Sequence, residues 1–214
     1  DERLIGIDLD ITCQWHGYGI TNTEGCHQAT LHTSHENSIG AIVEDKGERK
    51  QYYVYKSGRD FQDLNGLSKN AFDKAIANLG GQKLEKSGKY PMILHPRTAS
   101  LIFGSGLSNF MSGASYYEKR SPLKDKLGEK IGNSNLNLFD NGVDPKSIGT
   151  YAIDAEGAPV GKTDLIKDGV FKSYLYDHKY GKAVGKHSTG NAKRTGAFPG
   201  IAFETTPLIG PHKF

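Results

Sequence analysis

Histidine and glutamate are concentrated in one short segment, His32-Thr33-Ser34-His35-Glu36. Metal ligands spaced by three or four residues converge when they lie on a helix, where such positions share a face. This segment is rich in Thr and Ser and lies among strand patterns, and on a strand His32 and His35 point to opposite faces. The pattern therefore favours polar side chains on a sheet over a metal site.

The zinc-peptidase signature His-Glu-x-x-His places two imidazoles on one metal, with the glutamate as general base. His35-Glu36 is the only His-Glu pair in the chain, and the residues where a second histidine would stand are Ile39 and Gly40. The signature is absent there. Gly104-Ser105-Gly106 is also too short for a nucleophile elbow or a dinucleotide fingerprint, so packing or hinge glycines are the better interpretation.

Two carboxylates lie close together in Asp154-Ala155-Glu156-Gly157, at the end of a predicted strand. On a strand Asp154 and Glu156 share a face, where mutual repulsion can raise the pKa of one of them. The alternative is a turn, in which Asp154 accepts backbone N–H groups. The spacing alone favours the turn.

A second polar segment, Ser188-Thr189-Gly190-Asn191-Ala192-Lys193-Arg194, joins small hydrogen-bonding side chains, a glycine and two cations. Gly190 allows a close approach of backbone, and Arg194 is suited to pair with a carboxylate. The loop can therefore hold a carboxylate or a peptide backbone. A solvated basic turn is the alternative.

Hydrophobic periodicity predicts the elements that position these residues. Near the N-terminus, alternating patterns predict a meander of strands at Leu4–Ile11, Gln28–Ser34, Ile39–Glu44 and Lys50–Lys56. Shorter strands are predicted at Tyr90–His95, Asn135–Phe139, Gly149–Asp154 and Phe171–Tyr176. Helices are predicted after an N-cap at Ser68, from Pro96, around Leu123 and Leu127, and over Asp177–Val184.

Composition bounds the class of protein. The 214 residues carry a net charge of +3, from 27 basic and 24 acidic side chains, which gives no electrostatic reason to expect nucleic-acid binding. No apolar run approaches the roughly 20 residues that span a bilayer, so no membrane partner is expected. Cys13 and Cys26 are too few for a disulfide framework, so we expect reduced thiols in a cytoplasmic protein, with one bridge between them as the alternative.

The order of motifs resembles the C-terminal half of TldD/PmbA metallopeptidases from about Thr21 to Arg194. The most specific part comprises four linked elements, Asp154-x-Glu156-Gly157, Leu165–Val170, Tyr174–Asp177 and Ser188–Asn191. Thr21–Gly25, Gly88–Leu94 and Ser121–Gly128 match further motifs. The resemblance implies an α+β fold, mainly antiparallel strands with a few short helices.

Family members that cut peptides carry a His-Glu-x-x-x-His helix just after the strand that matches Tyr90–Leu94. In this chain that place, Thr98–Leu107, contains neither His nor Glu. The two imidazole ligands and the general base are therefore missing. This departure is similar to the PmbA/TldE branch, whose members pair with a TldD-type subunit that supplies zinc.

The resemblance implies a non-catalytic subunit of a zinc-dependent peptidase complex that acts on unfolded or extended peptides. No catalytic residue, metal ligand or cofactor is expected in this chain, and zinc is expected in a TldD-type partner. A homo-oligomer is the other expected assembly. Two alternatives stay open, namely a self-assembling structural or interaction protein without peptidase activity, and a peptidase subunit that is active through other residues.

The most specific motifs give the candidate site, which is expected to face substrate or partner. Its residues are Asp154, Glu156, Gly157, Ser188, Thr189, Gly190, Asn191 and Arg194. We expect one domain over residues 1–214, with possible lobes 1–81 and 90–214. The N-terminal domain and the extreme C-terminal part of the family are expected to be absent from this sequence.

Overall fold

A computed structural model describes residues 1–195 and 198–201, with side chains for all of these except residues 105, 193–195 and 198–201. The chain divides into two compact units. The first contains Asp1–His16, His32–Pro91 and Lys146–Ile148, and the second contains Gly17–Leu31, Met92–Pro145 and the residues from Gly149 onward. The single domain with lobes 1–81 and 90–214 stays a prediction.

A three-stranded sheet in the order β1-β2-β3 follows the predicted meander. Its strands are β1 (Leu4–Thr21), β2 (His27–Asp45) and β3 (Glu48–Gly58). The prediction of two strands within β2 was wrong, because the polar residues between them stay in the ladder. Asn37 is buried there and donates from Nδ2 to the carbonyl of Lys56, its antiparallel neighbour, at 3.3 Å. A buried amide with a backbone partner lets the strand continue.

Helix α1 (Leu67–Ala77) packs on this sheet. Ala41 and Val43 of β2 and Ala71 and Ala75 of α1 are almost completely buried and form the centre of that contact. The helix begins one residue before Ser68, the predicted N-cap, because Gly66 adopts a left-handed conformation (φ 75°) that starts the first turn. Only glycine takes that conformation without strain.

A helical run in the second unit begins at Pro96, as predicted. It comprises α2 (Pro96–Leu101), a π-helical turn (Ile102–Leu107) and α3 (Ser108–Phe110). Pro96 occupies the first helical position, where its missing N–H group costs nothing. Helices α4 (Gly113–Tyr117) and α5 (His178–Ala183) follow, and α5 confirms the predicted short helix.

The second unit also contains two small antiparallel sheets. One has the order β4-β5-β6, formed by β4 (Leu138–Asn141), β5 (Lys162–Lys167) and β6 (Val170–Phe171). The other pairs β7 (Ala192–Thr195) with β8 (Phe198–Ile201). The core includes six almost fully buried apolar side chains, Met111, Leu138, Leu165, Ile166, Phe171 and Leu175. Together the elements confirm an α+β fold with mainly antiparallel strands.

Three predicted elements between residues 90 and 154 are wrong. Tyr90–His95 is not a strand, and its apolar side chains Met92 and Ile93 are 73% and 86% exposed. The segment around Leu123 forms turns rather than a helix, since Asp125 adopts a positive φ of 66°. Gly149–Asp154 contributes only an isolated bridge between Ile153 and Pro159. At Tyr90–His95 and Gly149–Asp154 a short apolar run predicted a strand. Neither segment pairs with a neighbouring strand among the described residues, so no strand forms there.

Both cysteines are free thiols. The double variant Cys13→Ser, Cys26→Ser is therefore expected to shift the melting temperature by only a few degrees, since no cross-link is lost. A bridge closing a loop of this length would contribute about 3 kcal/mol, and its loss would lower the melting temperature far more. Thermal unfolding with and without reductant measures the difference, and a wild-type transition that depends on reductant would contradict the expectation.

Candidate functional site

Thr98–Leu107, the segment that the resemblance matches to the metallopeptidase motif, lies in the helical run and includes the π-helical turn Ile102–Leu107. In an α-helix, residues four apart share a face. A π-helix is bonded from i to i+5, is rare, and occurs mostly as single turns within α-helices, frequently at functional sites. A spacing of five, as in His-Glu-x-x-x-His, suits such a turn. The backbone thus has the geometry for that spacing, while the side chains offer no imidazole or carboxylate.

The C-terminal end of this helical run is attached to a segment that we call the hub, Leu175–His178. The Leu175 N–H donates to the carbonyl of Met111 at 2.9 Å, and the Gly113 N–H donates back to the carbonyl of Leu175 at 2.7 Å. A Cβ atom at Gly113 would lie 2.3 Å from the ring of Tyr176. Glycine at this position is required for the close approach.

The hub also holds the predicted loop at its beginning. The Tyr176 N–H donates to Thr189 Oγ1 at 2.8 Å, and the Thr189 N–H donates to the carbonyl of Tyr176 at 2.9 Å. Ser188 Oγ donates to the same carbonyl at 3.2 Å and accepts from the Gly190 N–H at 3.2 Å. Ser188 and Thr189 therefore bind the backbone of Tyr176 much as a neighbouring strand would. Their hydroxyl groups make some of the hydrogen bonds that backbone groups make in a regular ladder.

Asp154 joins the two predicted segments. It is 4% exposed, and its Oδ1 accepts from the N–H groups of Glu156 and Ala158, both at 2.9 Å. Its Oδ2 accepts from the Ala192 N–H at 3.0 Å, and the Ala155 N–H donates to the carbonyl of Ala192 at 2.8 Å. One buried carboxylate thus forms a turn and fixes that turn to the loop. A carboxylate can accept several such bonds, each stronger than a bond between neutral groups.

Glu156 points the other way, toward the start of α5. Its Oε2 accepts from the His178 N–H at 2.8 Å and lies 3.0 Å from His178 Nδ1. Asp177, buried at the N-cap, accepts from the Tyr180 N–H at 2.7 Å. Glu156 and His178 form an oriented carboxylate–imidazole pair whose imidazole is exposed.

Two glycines allow close packing between these segments. Gly190 has φ 73°, and a Cβ atom there would lie 2.1 Å from the carbonyl oxygen of Pro159. Gly157 has φ 84°, and a Cβ atom there would lie 2.6 Å from Cys26 Sγ. The turn that contains Cys26 is closed by Asn22, whose Oδ1 accepts from the Cys26 N–H at 3.0 Å. The structure therefore also brings the Thr21–Gly25 motif to the Asp154 turn.

Asn191 is buried and binds a second carboxylate. Its Nδ2 donates to Asp140 Oδ2 of β4 at 2.6 Å, and both residues are less than a tenth exposed. Within the described part of the chain, Asn191 Oδ1 has no hydrogen-bond partner. The site is thus anchored in the β4-β5-β6 sheet by an amide–carboxylate pair. The Arg194 side chain lies outside the described residues, although its backbone pairs with Pro199.

Tyr18 is a residue of this site that the sequence analysis missed. Its hydroxyl donates to the carbonyl of Ile153, and its ring lies 5.7 Å from the ring of Tyr151. Burial, followed by the charge of Asp154 and by Tyr151, raises the pKa of Tyr18 to about 12. Burial also raises the pKa of Tyr176 to about 12. No sequence motif indicates that Tyr18 belongs to this site, because its partner is a backbone carbonyl far away in the sequence.

Residues 87–214 match the family described as PmbA/TldA metallopeptidase C-terminal domain. The chain belongs to this family. Metalloprotease PmbA of Escherichia coli O157:H7 is 29% identical over 181 residues, which cover 82% of this chain and 40% of that protein. The resemblance deduced from the order of motifs is therefore confirmed.

Solved structures share the fold of this PmbA/TldD-family chain. A Thermotoga maritima protein, described as a candidate modulator of a DNA gyrase, gives a TM-score of 0.83 at 29% identity and covers 93% of this chain and 46% of its own. TldE from Thermococcus kodakarensis gives 0.77 at 24% identity, with 89% and 44% covered. The chain spans between 37% and 43% of the length of the first three curated relatives.

The site of this PmbA/TldD-family chain offers hydrogen-bonding groups and one exposed imidazole rather than a metal centre. Among the described residues, no three His, Cys, Asp or Glu side chains are grouped so that they could hold a metal ion. Asp154 uses both oxygens for backbone N–H groups, and Glu156 holds His178. The residues present do not fit a zinc ion that activates water, which needs three protein ligands.

Asp154→Ala is expected to destabilise the second unit by about 3 kcal/mol, because three backbone N–H groups lose their buried acceptor. Asp154→Asn is expected to cost less, since one oxygen can keep the turn while the bond to Ala192 is lost. Urea unfolding measures both losses. Asp164→Ala removes an exposed carboxylate from β5. It is expected to change the free energy of unfolding by no more than about 0.5 kcal/mol. Equal losses for Asp154→Ala and Asp164→Ala would disprove the role of Asp154.

Stability is expected to decrease between about pH 10 and pH 12 because of Tyr18. Its pKa is about 12 in the folded chain and about 10 when unfolded, so the unfolded state loses the proton first as the pH rises. Tyr18→Phe should therefore show a smaller loss of unfolding free energy between about pH 10 and pH 12 than the wild type. Tyr90→Phe, at an exposed tyrosine, should leave the wild-type loss unchanged. A Tyr18→Phe curve parallel to the wild type would contradict the assignment.

Proposed function

We propose that this chain is a non-catalytic, TldE/PmbA-like subunit of a zinc-dependent peptidase complex that degrades or processes unfolded peptides. Its membership of a metallopeptidase family supports a role in proteolysis. Relatives named metalloprotease, among them PmbA of Escherichia coli, align with most of this chain. The chain covers less than half of each of them, so the activity of the whole assembly is part of the proposal.

One observation carries the non-catalytic assignment. The segment that the resemblance matches to the motif, Thr98–Leu107, includes a π-helical turn at Ile102–Leu107 and contains no histidine and no glutamate. A metal-activated water requires imidazole or carboxylate ligands and a general base beside the metal. Neither can come from this helix. Zinc is therefore expected in a TldD-type partner subunit, and none is expected in this chain.

The proposed contribution of the chain is to shape the peptide chamber. The hub Leu175–His178 ties the helical run to the Ser188–Asn191 loop and to the Asp154 turn, so these segments are held in a fixed relation to one another. Among the described groups of this cluster, exposed His178 and half-buried Glu156, Ser188 and Thr189 can reach a substrate or partner. In the described part of the chain no helix is long and apolar enough to cross a membrane. A cytoplasmic location is part of the proposal.

The isolated chain is expected to hold no stoichiometric zinc and to leave unstructured peptides intact. Metal analysis and digestion of a denatured casein-type substrate test this, first on the lone chain and then on the complex purified from the native cell. The complex should cleave and lose its activity with chelator. One tightly held zinc per lone chain, with chelator-sensitive cleavage, would show a subunit active through other residues.

Self-assembly is the outcome that favours the structural alternative. If native purification yields only homo-oligomers of this chain, without a second subunit and without peptidase activity, the chain is an interaction protein that has kept the fold. Size-exclusion chromatography with light scattering, followed by mass spectrometry of the subunits, separates that outcome from the proposed complex.

A further inference from the structure

Strand β1 exposes a row of large apolar side chains. We call this row the stripe; it comprises Ile5, Ile7, Leu9 and Ile11. Each of them is 48–60% exposed. Trp15, the only tryptophan of the chain, continues the same alternation and is 79% exposed. Residues that alternate along a strand lie on one face of its sheet. Scattered exposed apolar residues are ordinary, whereas a contiguous row indicates an interaction surface.

The stripe lies on the same face of the sheet as the core that α1 covers. Between Gly6 and His16, three contacts of β1 with β2 fit one antiparallel register, and they are Gly6 with Ile42, Cys13 with His35, and His16 with His32. In that register Ile7 and Leu9 lie opposite Ala41 and Ile39, which are buried, and Ala41 belongs to the core that α1 covers. The stripe therefore extends the helix-covered apolar face to the edge of the sheet, beyond the reach of α1.

The backbone of β1 is open on the side away from β2. The sheet order is β1-β2-β3, so β1 is an edge strand, and among the described residues no other strand pairs with it. Leu4–Trp15 contains no proline, which would block pairing. A long, apolar, unpaired edge strand is a template for a further strand, and proteins normally cover or blunt such edges.

The charges on the opposite face of β1 indicate which kind of strand can pair with its edge. Asp8 and Asp10 alternate with the stripe, and the segment Ile5–Thr12 contains no Lys or Arg. The Tyr53 hydroxyl donates to Asp8 Oδ2 at 2.7 Å, which positions this carboxylate at the sheet surface. In a pairing of two copies of β1 that aligns the stripes, these acids would lie opposite or diagonal to one another. Like charges in those positions destabilise a strand pair, whereas opposite charges stabilise it.

We propose that the edge of β1 from Leu4 to Trp15 is an assembly surface whose occupant is a β-strand of a different chain, one that alternates apolar residues with Lys or Arg. The apolar residues of that strand lie beside the stripe, and its cations lie beside Asp8 and Asp10. The inference rests on the proposed function in one respect, that the different chain is the partner subunit. Strand addition supplies affinity through main-chain hydrogen bonds and specificity through alternate side chains.

A synthetic peptide replaces the partner strand in the test. An eleven-residue peptide that alternates Val and Lys matches Ile5–Trp15 in length at roughly 3.3 Å per residue. Titrated into the lone chain, it should shift the Trp15 emission to shorter wavelength, because Trp15 is the only indole and becomes covered. It should also slow the reaction of exposed Cys13 with a thiol reagent more than that of Cys26, which lies beyond the end of β1.

Charge reversal tests the partner chemistry. The corresponding Val–Glu peptide should bind about tenfold more weakly, since two cross-strand pairs change from attraction to repulsion. The variant Asp8→Lys, Asp10→Lys should reverse this preference. Tyr53→Phe removes the hydrogen bond to Asp8 and keeps the charge, so it should leave the preference unchanged. Methylating the peptide on alternate amides should abolish binding, because it removes the main-chain donors that face β1.

Two results would overturn the proposal. One is equal binding of the methylated and unmethylated peptides, which would show apolar adsorption without strand pairing. The other is a wild-type dimer in solution that the stripe variant Ile7→Ser, Leu9→Ser dissociates, which would make a second copy the occupant. Neither result depends on zinc or on cleavage, so this inference and the proposed function can fail independently.

Discussion

The arrangement of the candidate site depends on the buried carboxylate of Asp154. Backbone N–H groups at Glu156, Ala158 and Ala192 all point to it, and a buried donor without an acceptor costs about 1–3 kcal/mol. The turn and the start of β7 can therefore be buried together only while this side chain is present. The charge of Asp154 also acts on Tyr18, whose phenol is kept protonated to an unusually high pH.

The hub Leu175–His178 connects the Asp154 turn to the helical run. Leu175 is bonded to Met111 and Gly113, and Tyr176 is bonded to Thr189 through its backbone. His178 is bonded to Glu156, two residues from Asp154. One short segment thus fixes three others through its own main-chain groups, two of which donate to the side chains of Thr189 and Glu156.

The N-terminal meander and the helix starting at Pro96 could be predicted because each has a local signal, and the fold class followed from the resemblance in the order of motifs. Alternation marks β2 and β3, and proline at the first helical position marks α2. The strand predicted at Tyr90–His95 is wrong, because a short apolar run forms a strand only if another strand lies beside it. β5 was missed because its pattern is broken by Asp164, which pairs with Phe139 across a register shift.

In the candidate site as well, contacts between residues close in sequence could be predicted, whereas contacts between residues far apart in sequence could not. The Asp154 turn could be predicted from Asp and Gly in sequence, whereas its bond to Ala192 joins residues 38 positions apart. The burial of Asn191 against Asp140 has no sequence signal at all, because 51 residues separate the two. Tyr18 is more remote still from Ile153. These long-range bonds mean that most of the described polar motif residues position backbone, while the imidazole of His178 lies exposed beside them.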